Sequence, residues 1–212
     1  MIEVARKLLE IKAVFLNPKD PFTWASGIKS PIYCDNRMIL SDPKSRDIVE
    51  EAFKNKILEK YSDVDVIVGT ATAGIGHAAI IAHLLNKPMA YVRASAKDHG
   101  RSNQIEGKIK KGDKVVLIED LISTGGSSIE CVKVLKEHGA DVLSVEAIFT
   151  YGMKKSFERF NAINQRFDTL TNLDELLSVA SEDGYIEKEE IVQILKFRDN
   201  PQDESWIKKA IN

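Results

Sequence analysis

Val115-Val116-Leu117-Ile118-Glu119-Asp120-Leu121-Ile122-Ser123-Thr124-Gly125-Gly126-Ser127 is the stretch whose reading decides the fold. Its first part, with Lys114 in front, is a short unbroken apolar run and predicts a buried strand over 114–118. Two adjacent carboxylates, Glu119 and Asp120, stand at that strand's carboxyl end. A turn of small residues follows and opens a helix over 127–138, which Gly139 is placed to end in the left-handed conformation that glycine tolerates. Backbone N–H groups in such a turn, at the positive end of a helix dipole, form a cradle for an anion. Gly125 and Gly126 let the main chain come close, and Ser123, Thr124 and Ser127 add hydroxyl donors. Carboxylates beside a phosphate repel it unless something lies between them. A ribose diol, with a divalent cation nearby, resolves that conflict and points to a phosphosugar. The plainer alternative is a strand-to-helix turn with solvated acids; the ordered pairing of acids and cradle favours the phosphosugar.

The same strand-then-helix rhythm extends on both sides. Residues 64–68 predict a buried strand, 69–74 a loop and 75–85 a helix; 89–92 and 142–150 predict two more strands. Asp42-Pro43 is a cap and first-turn pair for a helix running to about Lys60. Alternation of this kind implies an α/β fold with a mostly parallel sheet flanked by helices and a ligand at the strands' carboxyl ends. Residues 93–111 break the rhythm and predict a long loop whose start carries Arg93, Lys97, Asp98 and His99. Beyond Tyr151 the chain predicts helices over 171–180, 186–197 and 201–210.

Composition bounds the function. The 212 residues are 43% hydrophobic and 29% charged, ordinary for a folded soluble protein. Thirty basic and 32 acidic side chains leave a formal net charge of −2, which disfavours a protein whose main work is coating nucleic acid or anionic lipid. Cys34 and Cys131 are too few for a disulfide scaffold or a four-cysteine zinc site. Residues 66–86 lack Asp, Glu, Lys and Arg, but Gly69, Gly74 and Gly76 interrupt them, so strand, loop and buried helix explain them better than a membrane span. Glu3, Arg6 and Lys7 stand where a signal peptide needs an apolar core, and a cytoplasmic home is expected.

Residues 119–127 resemble the phosphoribosyl-diphosphate motif of the type I phosphoribosyltransferases. Phe22-Thr23-Trp24-Ala25-Ser26-Gly27-Ile28-Lys29-Ser30-Pro31-Ile32-Tyr33 and Ala96-Lys97-Asp98-His99-Gly100 resemble two motifs of the orotate phosphoribosyltransferases within that family. With the Thr70-Ala71-Thr72-Ala73-Gly74 loop, the resemblance spans nearly the whole chain. It implies a type I phosphoribosyltransferase-like domain over 1–212, with a hood over the base site at 1–40, an α/β core at 41–152 and a mainly helical segment at 153–212. It further implies transfer of the 5-phosphoribosyl group from phosphoribosyl diphosphate to orotate, giving orotidine 5′-phosphate and diphosphate on the route to UMP.

Roles follow from the resemblance, position by position. Glu119 and Asp120 hold the ribose hydroxyls, and Ser123, Thr124, Gly125, Gly126 and Ser127 the 5′-phosphate, with Leu121 and Ile122 in the same donor site. Thr70, Ala71, Thr72, Ala73 and Gly74 bind diphosphate through backbone groups. Arg93, Lys97 and His99 stabilise the leaving group and, with Asp120, form the catalytic set. Ser26, Gly27, Lys29, Tyr33, Arg37, Ser123 and Tyr151 receive orotate. Mg²⁺ is the implied cofactor, held mainly through donor and water with Asp120 as the candidate direct ligand. A homodimer is implied, with the 93–111 loop reaching the neighbouring site, and neither nucleic acid nor membrane as partner. The chain departs from many relatives at Ala25 and Ala94, where they carry lysine, at Thr150-Tyr151 in place of an Asp-Arg pair, and at Ala73 in place of a lysine. The orotate carboxylate contact therefore stays open among Lys29, Arg37 and backbone N–H groups.

Competing patterns are weaker. Gly74-Ile75-Gly76-His77-Ala78-Ala79 fits a dinucleotide signature, but the strand before it ends too early and the next strand ends at Arg93 rather than an acid. Asp183-Gly184-Tyr185-Ile186 with Glu190 mimics half a calcium loop, yet Val179 occupies the first-ligand position, so a turn and helix start are expected. His77 and His83 are expected to be packed or solvated rather than metal ligands. For Trp24 and Tyr33, stacking on a flat heterocycle and packing within the hood both stay open. Rival functions are a transferase for another base, a fold-sharing regulator that binds nucleic acid, and a plain sugar-phosphate binding module.

Overall fold

The structure, a computed structural model, describes residues 1–24, 26–94 and 104–207. Lys97, His99 and the rest of residues 95–103 in the expected 93–111 loop lie outside the described residues, as does Ala25. The elements in chain order are α1 (Ile2–Glu10), β1 (Val14–Leu16), β2 (Phe22–Thr23), β3 (Lys29–Ser30) and β4 (Ile32–Cys34), then a 3₁₀ helix (Asn36–Ser41) and α2 (Pro43–Lys60). They continue with β5 (Val66–Thr70), α3 (Ala73–Leu85), β6 (Met89–Val92), β7 (Ile105–Glu106), β8 (Lys114–Ile122), α4 (Gly126–His138) and β9 (Asp141–Thr150). Last come α5 (Lys154–Ala162), β10 (Phe167–Asn172), α6 (Leu173–Glu182) and α7 (Lys188–Asp199).

Six strands form the central sheet in the order β10-β9-β8-β5-β6-β7, parallel throughout except for β7. Because β8 and β9 are covered on both faces, they are buried along nearly their whole length rather than at alternate residues. One face packs Ile67, Val116, Ile118 and Ile148 against α1, α2, α3, α6 and α7. The other packs Val68, Val115, Leu117 and Val145 against Ile129, Val132 and Leu135 of α4 and Phe160 of α5. Asp42 caps α2 by accepting from the Ser45 amide, and Gly139 ends α4 at φ 94°, both as the sequence predicts.

Several elements differ from the sequence reading. β8 runs to Ile122, four residues beyond the predicted end. The 93–111 segment contains β7, which pairs antiparallel with β6. Residues 167–172 form β10 in the central sheet by parallel pairing with β9, where 153–212 reads as mainly helical; Asn172 ends the strand and caps α6 through the Glu175 amide. Residues 201–207 form turns rather than the start of a helix, with Asp203 taking the Ser205 amide and hydroxyl; residues 208–212 lie outside the described residues. At the other end, α1 buries Val4, Ala5, Leu8 and Leu9, while Arg6 donates to Asp183 at 2.9 Å, so the C-terminal helices hold the N-terminal one.

Candidate active site

The site lies at the carboxyl ends of β5 and β8. β5 pairs with β8 only as far as Gly69 opposite Ile118, so residues 119–122 project past β5 and are supported by β9 alone. The edge that β5 leaves is taken up by side chains. Thr70 Oγ1 donates to the Ile118 carbonyl at 3.0 Å, and Asn36 Nδ2, from the 3₁₀ helix, donates to the Asp120 carbonyl at 2.7 Å. Close approach of loop and strand requires glycine at 74, where a Cβ would meet the Ile118 carbonyl and come 2.6 Å from Thr70 Oγ1. The peptide between Ala71 and Thr72 is cis.

Lengthening β8 separates the two acids. Successive side chains in a strand face opposite ways, so Glu119 and Asp120 cannot both face a ligand from within it. Glu119 is buried: its Oε1 accepts from the Asp120 amide at 3.0 Å and its Oε2 from Ser128 Oγ of α4 at 2.9 Å. Burial, then the neighbouring Asp120 carboxylate, push its carboxyl up from 4.5 to about 7, against hydrogen bonding from Thr70 and the Asp120 amide. Asp120 is half-buried. Glu119 thus joins the start of α4 to the strand, and Asp120 is the acid left at the open end.

The turn after β8 has the expected shape. Gly125 takes φ 74° and precedes α4, which has no side-chain cap at its start. α3, starting at Ala73, also has none. Two helix N-termini with free N–H groups therefore stand beside the same strand ends, the arrangement that receives anions. The wall behind the turn comes from α5, which the sequence reading left out. A Cβ on Gly125 would come 2.6 Å from Cε2 of Phe160, and Arg159 Nη1 donates to the Thr124 carbonyl at 3.3 Å and to Thr124 Oγ1 at 3.1 Å.

The hood is built by β1 with β4 and by the β2–β3 hairpin, whose turn has Gly27 at φ 85°. Trp24 packs rather than stands free: its ring lies 5.8 Å from Tyr151 and 5.5 Å, edge-on, from Phe197 of α7. Tyr33 is 41% exposed, 5.8 Å from Phe22, and keeps a face open. Tyr151 is buried beneath Trp24, and burial raises its phenol. Lys29 Nζ donates to Thr23 Oγ1 at 2.7 Å, and Arg37 forks onto Asp35 at 2.6 and 2.8 Å, holding that carboxyl below its ordinary value. Ser26 lies exposed at the hairpin turn. Arg93 ends β6, where its amide donates to Gln104 O at 2.9 Å, Gln104 Nε2 returns to Arg93 O at 3.1 Å, and its Nε lies 3.3 Å from Glu106 Oε1. Residues 93 and 104 are thereby tied together on either side of the stretch that carries Lys97 and His99.

Other readings lose ground. His77 is buried against Glu50 at 2.5 Å, a packed histidine. Residues 183–190 form a turn followed by the Glu187–Glu190 capping box of α7. No group of three or more His, Cys, Asp or Glu able to hold a metal occurs among the described residues. No helix among them is long and apolar enough to cross a membrane.

Residues 35–172, spanning the acid pair and both helix starts, match the family model for the phosphoribosyl transferase domain. The chain belongs to the phosphoribosyl transferase family. It is 54% identical over 200 residues to an orotate phosphoribosyltransferase of Listeria innocua serovar 6a, covering 94% of this chain and 96% of the relative. An orotate phosphoribosyltransferase of Streptococcus mutans serotype c is 52% identical over 204 residues, 96% of this chain and 97% of that one. Among solved structures, the orotate phosphoribosyltransferase of Aeropyrum pernix superposes with a TM-score of 0.75 at 27% identity, over 87% of this chain and 99% of that chain. The UMP synthase of Leishmania donovani gives 0.78 at 29% identity over 93% of this chain, which spans 42% of that longer protein.

Asn36, Ser128, Arg159 and Phe160 are the functional neighbours that sequence reasoning missed. Ser128 directly follows the quoted motif and was within reach of it. Asn36 acts across 84 residues and Arg159 across 35, where no local pattern signals a contact.

Proposed function

We propose that this protein is an orotate phosphoribosyltransferase, transferring the 5-phosphoribosyl group from phosphoribosyl diphosphate to a ring nitrogen of orotate and releasing diphosphate, a step of pyrimidine biosynthesis. The observation that carries the proposal is the strand end with Asp120 set between two uncapped helix starts, in a chain half identical along its length to orotate phosphoribosyltransferases.

In this reading the helix start at Gly126 takes the 5′-phosphate and Asp120 the ribose hydroxyls. Residues 70–74 take the diphosphate through main-chain N–H groups. Cleavage of the C1–O bond places positive charge on the sugar and negative charge on the diphosphate, as in glycosyl transfer generally. Lys97 and His99 then act on the leaving group, Lys97 as a fixed charge and His99 as a donor whose ordinary pKa lies near neutrality. Arg93 supports them from the end of β6, next to Glu106. A sugar cation is captured by water in an open site, which gives the residues between 93 and 104 a reason to close over it. Tyr33 supplies a flat face for the base, and Lys29 and Arg37 are the candidate hood cations for its carboxylate.

Mg²⁺ suits this donor set. With Glu119 turned into the fold, Asp120 is the carboxylate available at the strand end, which fits an ion held chiefly by diphosphate and water rather than by a protein cage. When bound, the ion supplies charge neutralisation at the departing diphosphate. We also propose a cytoplasmic homodimer in which each 93–111 segment serves the neighbouring site, on the strength of the family resemblance.

The test is orotate consumption with phosphoribosyl diphosphate and Mg²⁺, against uracil and hypoxanthine as acceptors. Turnover of orotate alone is the expected outcome. Turnover of hypoxanthine instead would reassign the acceptor, and absence of diphosphate release with every base would leave only a binding module.

A further inference from the structure

We infer that Arg159, on α5 and outside every motif of the chain, is a further residue of the donor site: it positions Thr124 and adds a positive charge to the cradle for the 5′-phosphate. This rests on the reading of residues 123–127 as that cradle.

The geometry is specific. Arg159 Nη1 donates to both the carbonyl and the Oγ1 of Thr124, at 3.3 and 3.1 Å, and stands 3.4 Å from where a Cβ of Gly126 would be. The guanidinium therefore lies across the turn that leads into α4. A hydroxyl that accepts from arginine keeps its own proton to donate, so Thr124 Oγ1 is held as a donor toward whatever the turn receives. The neighbouring residue, Phe160, fills the space beneath Gly125 and stacks on Phe167 at 4.4 Å, which fixes this end of α5 against the turn.

Charge points the same way. Arg159 is exposed and makes no carboxylate pair among the described residues, while its neighbour Glu158 is engaged with Lys154 at 3.4 Å. A guanidinium presents five N–H donors in a planar fork that matches phosphate, and the bonds to Thr124 use only one of its nitrogens. Asp120, the carboxylate at the open strand end, repels a dianion, and the Arg159 cation at the turn offsets it.

The experiment measures ribose 5-phosphate and inorganic diphosphate binding to the full chain by calorimetry, with steady-state kinetics on the donor. Arg159→Ala is expected to weaken ribose 5-phosphate about tenfold, the scale of one partly screened charge-assisted contact, and to raise the donor KM alike, with kcat changed less than about twofold. Diphosphate affinity should not move. Arg159→Lys keeps the charge and loses the fork, so it should recover about half of the lost binding energy, whereas Arg159→Gln should behave like alanine. Should Arg159→Ala fail to fold, the Gln and Lys pair alone decides between charge and structure. Equal weakening of diphosphate, or a loss in kcat with KM unmoved, would mean a structural role and overturn the inference. Wild-type affinity for ribose 5-phosphate in Arg159→Ala and Arg159→Gln overturns this inference alone. Failure of the wild-type protein to bind ribose 5-phosphate overturns the donor reading and this inference with it.

Discussion

Replacing Glu119 with glutamine should stabilise the protein at alkaline pH and not at acid pH. In the native state the Glu119 carboxyl is raised from 4.5 to about 7, first by burial and then by Asp120. Below pH 4.5 both native and unfolded chains hold the proton, and the group contributes no pH dependence. Between 4.5 and about 7 the native state keeps a proton that the unfolded chain releases, so stability falls as pH rises through that window. The span from 4.5 to about 7 is worth at most about 3 kcal/mol, and about 1–3 kcal/mol once the effective dielectric of a real protein site is allowed for. Glutamine cannot ionise, keeps an oxygen for the Asp120 amide or Ser128 Oγ, and turns its amide group toward the Asp120 carboxylate. Its constant offset, from an imperfect hydrogen bond, is the same at every pH. The assay is urea unfolding of both proteins at pH 5 and pH 8, where titrating groups remote from Glu119 cancel in the difference. The variant's stability relative to wild type should rise by about 1–3 kcal/mol between the two pH values, with m unchanged. A difference that does not vary with pH, or one that moves in favour of wild type, would refute the picture of an acid held inside the fold rather than presented to ligand.

Other outcomes follow from the same geometry. Gly125→Ala forces a side chain into φ 74° and against Phe160, 2.6 Å away, so a loss of about 2–4 kcal/mol is expected in urea titration, against less than about 0.5 if the turn relaxes freely. Asp120→Asn leaves the hydrogen bond from Asn36 to the main-chain carbonyl in place and should weaken donor use while the melting temperature stays near wild type; unchanged donor kinetics would count against the diol assignment. Lys97→Ala should lower kcat about 10²-fold, the scale of losing one key electrostatic stabiliser, and turnover near wild type would exclude that role.

The site depends on chain segments far from its motif. Asn36 joins the hood to the Asp120 carbonyl, so the hood and the end of β8 are braced through one amide. Phe197 of α7 supports Trp24, which in turn covers Tyr151, so the last helix sets the rear wall of the hood. The tie between Arg93 and Gln104 anchors both sides of the stretch that carries Lys97 and His99.

By itself the sequence determined the α/β class, the parallel strands β5, β6, β8 and β9, the caps at Asp42 and Gly139, and the glycine turn at 123–127 that leads into α4. All of these are local: an apolar run, a cap or a glycine turn is written in neighbouring residues and reads the same wherever the segment lies. Only the tertiary structure decided which acid faces outward, because four extra residues of strand fix the alternation of Glu119 and Asp120, and those residues gain their pairing from β9 rather than from their own propensity. It likewise decided that Trp24 packs instead of standing open, that β10 joins the sheet, and that Arg159 and Phe160 back the cradle. Contacts between residues tens of positions apart depend on how the chain closes on itself, and a single sequence carries no periodicity that records it.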